Sequence, residues 1–204
     1  MLIFFLSAAL AAEPSFEQSV VFAKNNDPDI IALRDGRQLR VRYGDGVIQT
    51  VFAWSSGRPL SFHYDIEDGM TLKDTEQGTT IPVLAMASGR HLIDDMEEAC
   101  QKNAISTLDM TDCAAQSNNA WKAEIARLQD LLEVGASPEQ KQAYAASRAA
   151  WEQHYQAQVK TLNATYGAMD GTIWRVIASQ ARVSMLREQV RWMGAVAADA
   201  SMHR

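Results

Sequence analysis

Four groups of residues have types and spacings suited to chemistry. His91, Asp94, Asp95 and Glu98 form the first: on a helix, His91 and Asp95, or Asp94 and Glu98, share a face and resemble a hard-ligand metal set. A metal needs several convergent ligands, and one short helix does not supply them. An acidic, solvated helix start, favoured by the helix dipole, is the expected role. His63, Asp65 and Glu67 alternate along a strand, so all three fall on one face, with Asp68 following. No nucleophile or oxyanion device accompanies them, and a solvated strand edge and turn is expected. Arg175, Arg182, Arg187 and Arg191 make the C-terminal stretch locally basic. Arg187 and Arg191 lie one helical turn apart and suit an acidic partner or a phosphate, although pairing with Glu188 or with acids of a neighbouring helix is favoured. Cys100 and Cys113 complete the set. There is no Cys-x-x-Cys and no matched His beside them, so a structural disulfide is expected rather than a redox pair or half a metal site. No catalytic, cofactor or metal site is assigned.

The elements that carry these residues are bounded by composition. The chain has 204 residues, 47% of them hydrophobic and 22% charged, which is ordinary for one large or two small globular domains. It carries 19 Lys and Arg against 25 Asp and Glu, a formal net charge of -6. An acidic balance lacks the clustered cations that neutralise phosphates, so nucleic acid is excluded as a main partner. The charge gives no acidic face either: 11 acids stand against 8 bases through residue 92, and 14 against 11 after it.

Residues 1–12, MLIFFLSAALAA, contain no charge. The run falls short of the ~20 apolar residues of a membrane-spanning helix but suits the apolar region of a secretory signal. Ala9, Leu10 and Ala11 supply a small-x-small site, with cleavage expected after Ala11 or Ala12. The protein is therefore expected to be periplasmic or secreted, with no transmembrane segment in the mature chain. In such a compartment the two cysteines oxidise and stay oxidised.

The remaining chain divides near residue 90. From Gln38 to Ala85 the pattern is mostly of period two. Leu39, Val41 and Tyr43 alternate with Arg40 and Arg42, Gly44-Asp45-Gly46 suits a tight hairpin, and Val47 to Trp54 reads as a longer β-rich run. Strands are expected at Leu60 to Tyr64 and around Thr79 to Ala85, the latter at an edge because Pro82 cannot donate to a ladder. Ser15 to Asp35 is open between short helices and strands. After Arg90 the signals are helical. A short helix is expected from Ile93 to Asn103. A longer one follows from about Leu108 to Gly135 on the stripe Met110, Ala114, Trp121, Ile125, Leu128 and Leu132. Ser137-Pro138-Glu139-Gln140 is a capping box opening the next helix, whose stripe is Tyr144, Trp151, Tyr155, Leu162 and Tyr166. In the last helix Val176, Val183 and Val190 recur every seven residues, with Leu186 and Met193 between them. The expected fold is α+β: a small antiparallel β-rich part over 13–90, then an antiparallel helical bundle of three long helices and one short one over 91–204.

The helical part also resembles a known family. Cys100 to Thr107, then Asp109-Met110-Thr111-Asp112-Cys113-Ala114, are similar to the opening Cys, Thr and acidic-x-x-x-Cys step of the LprI-type lysozyme-inhibitor N-terminal domain. Ser147 to Trp151 resembles that family's polar-x-x-x-Trp helix. Gly171-Thr172 resembles the small pair before its last helix, and Ser184 to Arg187 its hydroxyl-x-x-Arg. Where the family shows an Arg and a further Cys, this chain has Tyr155 and Val159. The resemblance covers the second half and implies an exported, non-enzymatic binding protein that blocks a lysozyme. The alternatives are an envelope structural or assembly adaptor, or a metal-dependent envelope hydrolase. Candidates for partner contact are Arg187, Arg191, Trp151 and Tyr155, the partner being lysozyme or another envelope protein.

Overall fold

A computed structural model of the chain describes residues 15–27, 29–41 and 46–202. The expected signal segment 1–12 and most of the expected hairpin at Gly44-Asp45-Gly46 lie outside the described residues.

The first half is a barrel. Its strands are β1 (Ser15–Asp27), β2 (Ile30–Leu33), β3 (Gln38–Val41), β4 (Pro59–Asp65), β5 (Gly69–Asp74) and β6 (Thr80–Ser88), and they close in the order β1-β2-β3-β6-β5-β4. Two long strands make the closure possible. The first part of β1 pairs antiparallel with β4, from Ser15 opposite Asp65 to Val21 opposite Pro59; its second part crosses to β2, from Phe22 opposite Leu33 to Asp27 opposite Ile30. β6 does the same, pairing with β5 through Thr80, Ile81 and Pro82 and with β3 from Val83 to Ser88. Register shifts interrupt the β1–β2 and β3–β6 ladders, and such bulges bend a strand enough to turn a corner. Val20, Phe22, Ile31, Leu33, Leu39, Val41, Leu60, Phe62, Leu72, Ile81 and Val83 are buried in this half.

Three expectations are corrected here and one open stretch is resolved. Val47 to Trp54 is not a β run: α1 covers Val47–Phe52. Its β-branched residues favour strands, but Val47, Val51 and Trp54 stand at i, i+4 and i+7, and a short helix with the turn that follows it packs all three against the core. Gly46, at φ 76, supplies the left-handed turn into it. Pro82 is not at a sheet edge, because the barrel has none there. It ends the β5–β6 ladder immediately before the β3–β6 ladder begins, where a missing N–H is least disruptive. The sheet has six strands; β5 was not among those expected, although Met70 and Leu72 alternate along it and are buried. The open stretch from Ser15 resolves into β1 and β2.

The helices follow as expected: α2 (Leu92–Asn103), α3 (Thr107–Glu133), α4 (Pro138–Tyr166) and α5 (Ile173–Met202). Capping boxes open two of them. The Ser106 hydroxyl accepts from the Asp109 backbone N–H and Ser137 does the same for Gln140, with Pro138 in the first turn of α4. Of the expected α3 stripe, Ala114, Trp121, Ile125, Leu128 and Leu132 are buried, as are Val176, Val183, Leu186, Val190 and Met193 of α5. The short connections make α4 antiparallel to its neighbours, so α3 and α5 run side by side in the same direction. Their starts are joined by a 3.0 Å hydrogen bond between the Thr107 and Thr172 hydroxyls. Trp121, Leu128, Leu186 and Met193 belong to the same hydrophobic cluster as the barrel's Phe62 and Met70. The two halves therefore share one core.

Candidate functional site

The acidic start of α2 is an ionic junction and not a solvated surface. Asp94 is buried and accepts from Arg187 Nε of α5 at 2.7 Å. Asp95 lies 3.1 Å from Arg37 of the barrel and 3.0 Å from Arg90. Glu98 pairs with Arg90 and, at 2.6 Å, with Lys102. Burying an acid requires a partner, and here the partners come from the barrel, from the junction itself and from α5. Arg37 anchors the barrel side: it is buried, bonds Asp35 and Gln18, and lies over the Phe62 ring. His91 is the N-cap of α2, its Nδ1 accepting from the Ile93 backbone N–H at 3.1 Å. Its environment disfavours charge. Burial, with Arg127 and Arg187 nearby, pushes the imidazole down to about 3. A histidine so placed is neutral at any physiological pH. Among the described residues no group of three or more His, Cys, Asp or Glu side chains is arranged to hold a metal ion.

The other set of acids serves a turn. His63 Nε2 is 3.3 Å from Asp65, whose Oδ1 accepts from the backbone N–H groups of Glu67 and Asp68 at 2.9 and 2.7 Å. These bonds close the β4–β5 hairpin. The turn is as expected, but the flanking strand is interior to a closed barrel and presents no edge.

The four residues named for partner contact separate into two pairs. Arg187 and Arg191 face the junction of bundle and barrel. Arg187 holds Asp94 and lies 5.8 Å from the centre of the Trp121 ring, whereas Arg191 is exposed and pairs with Glu188 at 2.7 Å. Trp151 and Tyr155 stack on each other, with centroids 5.3 Å apart, in a shallow groove between α3 and α4 that also contains Lys122 and Leu186. No single patch unites all four.

Sequence reasoning missed the most exposed apolar feature of the helical half. Ile105 and Leu108, read only as part of a turn and a helix start, are 95% and 69% exposed. Met169 and Ile173, flanking the α4–α5 turn, are exposed as well. The Thr107–Thr172 bond brings the two turns side by side, so the four side chains crown one end of the bundle. The α2–α3 turn that carries Ile105 is held from several directions. Asp109 accepts from the Ile105 and Ser106 backbone N–H groups at 3.1 and 2.9 Å, Gln101 Nε2 donates to the Met110 carbonyl at 2.9 Å, and the Cys100–Cys113 disulfide spans its base with Cα atoms 5.6 Å apart. Large aliphatic groups held out in water by a rigid turn do nothing for the core, and a cluster of them is what a protein contact uses. The signal was available: Ile105 stands just before the Ser106–Asp109 capping box, Leu108 lies within it, and neither belongs to an apolar stripe.

No helix among the described residues is long and apolar enough to cross a membrane. No curated protein and no solved structure matches the chain. The barrel has no match in these comparisons, but the stapled helices do: residues 99–193, from just before Cys100 to the α5 seam at Met193, match the family model Lysozyme inhibitor LprI, which is the part of the chain that carries the sequence resemblance.

Proposed function

We propose that this chain is an exported, non-enzymatic binding protein whose helical half inhibits a lysozyme, with the apolar tip at Ile105, Leu108, Met169 and Ile173 as the contact. The observation that carries the reading is the position of this tip: a disulfide-braced set of exposed aliphatic residues, all four of which, with both cysteines of the brace, fall within the segment that matches the inhibitor family. A lysozyme works from a cleft with two carboxyl groups flanking the glycosidic bond. A narrow, preorganised apolar end fits the task of occluding such a cleft, because little ordering is needed on binding. The disulfide and the uncharged first twelve residues support a periplasmic or secreted location. The unit boundary is placed at about residue 90, with the barrel as a companion unit to the helices.

The test is inhibition of lysozyme-driven lysis of a cell-wall suspension by the purified protein. Wild type slows lysis, and the double variant Ile105→Asp/Leu108→Asp weakens inhibition by roughly 30-fold or more, the effect of removing a contact hot spot of about 2 kcal/mol. Its stability stays near that of wild type, since both side chains already stand in water. Wild type without effect at micromolar concentration and low salt contradicts the proposal and leaves an envelope adaptor role, for which the unmatched barrel offers a second binding unit.

A further inference from the structure

A cavity of about 370 Å³ lies between barrel and bundle, within the size range of small-molecule sites. Its mouth is formed by exposed Ser88 and Gly89 at the end of β6 and by exposed Arg191 on α5. Met70, Leu128 and Val190 give it an apolar body. Two further wall residues, His91 and Trp121, are 7% and 1% exposed, and their rings are 4.7 Å apart.

Both rings carry a donor with no acceptor. The Nδ1 atom of His91 is occupied by the Ile93 backbone N–H, so the neutral ring holds its proton on Nε2. That Nε2 is buried without a hydrogen-bond partner, and so is Nε1 of Trp121, which is only ever a donor. Buried polar groups are normally paired, so two adjacent orphaned donors need an explanation. The acceptors nearby are already committed. Asp94 is held by Arg187, and Glu124 accepts from Arg127 Nε at 2.7 Å, while Arg127 also donates to the Leu84 carbonyl at 2.9 Å. Arg187, also in the wall, uses Nε and Nη2 on the single oxygen Oδ1 of Asp94. The wall thus combines apolar surface with two ring N–H donors that no protein oxygen satisfies.

We propose that this cavity binds a small molecule presenting a carboxylate or carbonyl oxygen on a short apolar body, the oxygen accepting from His91 Nε2–H and Trp121 Nε1–H. The site is separate from the lysozyme contact proposed above, being built at the junction with the barrel and not at the bundle tip. It makes the barrel part of a binding site and gives the shared core a use beyond stability.

The experiment is an NMR titration of the 15N-labelled whole protein, following the Trp121 indole N–H resonance, which is assigned by its absence in Trp121→Phe. The probes are hexanoate and N-butylacetamide, with hexylamine as a control that offers no oxygen. A saturable shift of the Trp121 indole resonance with hexanoate, with N-butylacetamide or with both supports the site, and the stronger of the two identifies carboxylate or carbonyl chemistry. The variant His91→Asn keeps a capping oxygen and is expected to weaken that binding tenfold or more. A Trp121 resonance unmoved by both acceptors overturns the proposal, as does an equal shift with hexylamine or undiminished binding in a folded His91→Asn protein. Should His91→Asn fail to fold, the wild-type titration decides alone.

Discussion

Helices α3 and α4 are nearly equal in length, 27 and 29 residues, and both carry stripes of large side chains at helical spacing, aliphatic around one Trp in α3 and aromatic in α4, yet they meet different environments. α3 buries nine residues, Trp121 among them; α4 buries Tyr155 alone. The difference lies in what flanks each helix. α3 has α5 on one side and, through α2 and the ionic junction, the barrel on the other, so its stripe lies in the core the two halves share. α4 leans on α3 and α5 from outside, and Tyr144, Trp151, Leu162 and Tyr166 are only half-buried. The helical half is therefore an α3–α5 pair fused to a barrel with a third helix laid against it. A periodic stripe establishes which face of a helix turns inward; how deeply it sinks depends on how many neighbours surround it.

That contrast is open to direct attack. The largest effect is expected from Trp121→Ala, which opens the junction between barrel and helices and costs about 3–5 kcal/mol by urea denaturation, with both halves unfolding together. Loss of the barrel transition separately from the helical one would show that the shared core is not cooperative. Cys100→Ser/Cys113→Ser follows, at about 3 kcal/mol, because the bridge closes a short loop that pins α2 to α3. An unchanged denaturation midpoint would mean that the two helices are held by packing alone.

The junction also predicts a pH response. His91 is neutral in the fold down to about 3, whereas in the unfolded chain it protonates below its ordinary 6.5. The unfolded chain therefore binds the extra proton, and the stability His91 contributes is complete above 6.5 and drains as the pH falls toward 3. The slope is about 1.4 kcal/mol per pH unit, so about 2 kcal/mol is lost from this one group between pH 6.5 and about pH 5. His91→Asn should flatten that slope, and an identical slope in the variant would refute the assignment. The smallest effect belongs to α4: Trp151→Ala removes a half-buried ring from an outer helix and should cost only about 1 kcal/mol, well below Trp121→Ala. Equal costs for the two substitutions would erase the distinction between the helices.

Much of the helical half was legible because its signals are local. The capping box at Ser137 to Gln140, the seven-residue recurrence of Val176, Val183 and Val190, and the pairing of Cys100 with Cys113 all lie within short reach along the chain. Barrel closure was not legible. It depends on β1 and β6 each changing partner midway, which no short pattern encodes. The same limit explains the acidic cluster: nothing near Asp95 indicates that Arg37, 58 residues earlier, comes to meet it, nor does anything near Asp94 indicate Arg187. Val47 to Trp54 misled because β-branched composition outweighed the four-and-three spacing of its core residues. The tip residues Ile105 and Leu108 were passed over because apolar residues in a turn and at a helix start, off the helix's stripe, have no period to announce them.

The proposed contact of lysozyme with the bundle tip is open to hydrogen exchange measured with and without added lysozyme. Backbone amides of residues 104–109 and 167–173 are expected to become protected on complex formation while those of the barrel and of mid-α4 do not change. Protection confined to the Trp151–Tyr155 groove or to the barrel surface, or none at all with lysozyme in excess, would contradict it.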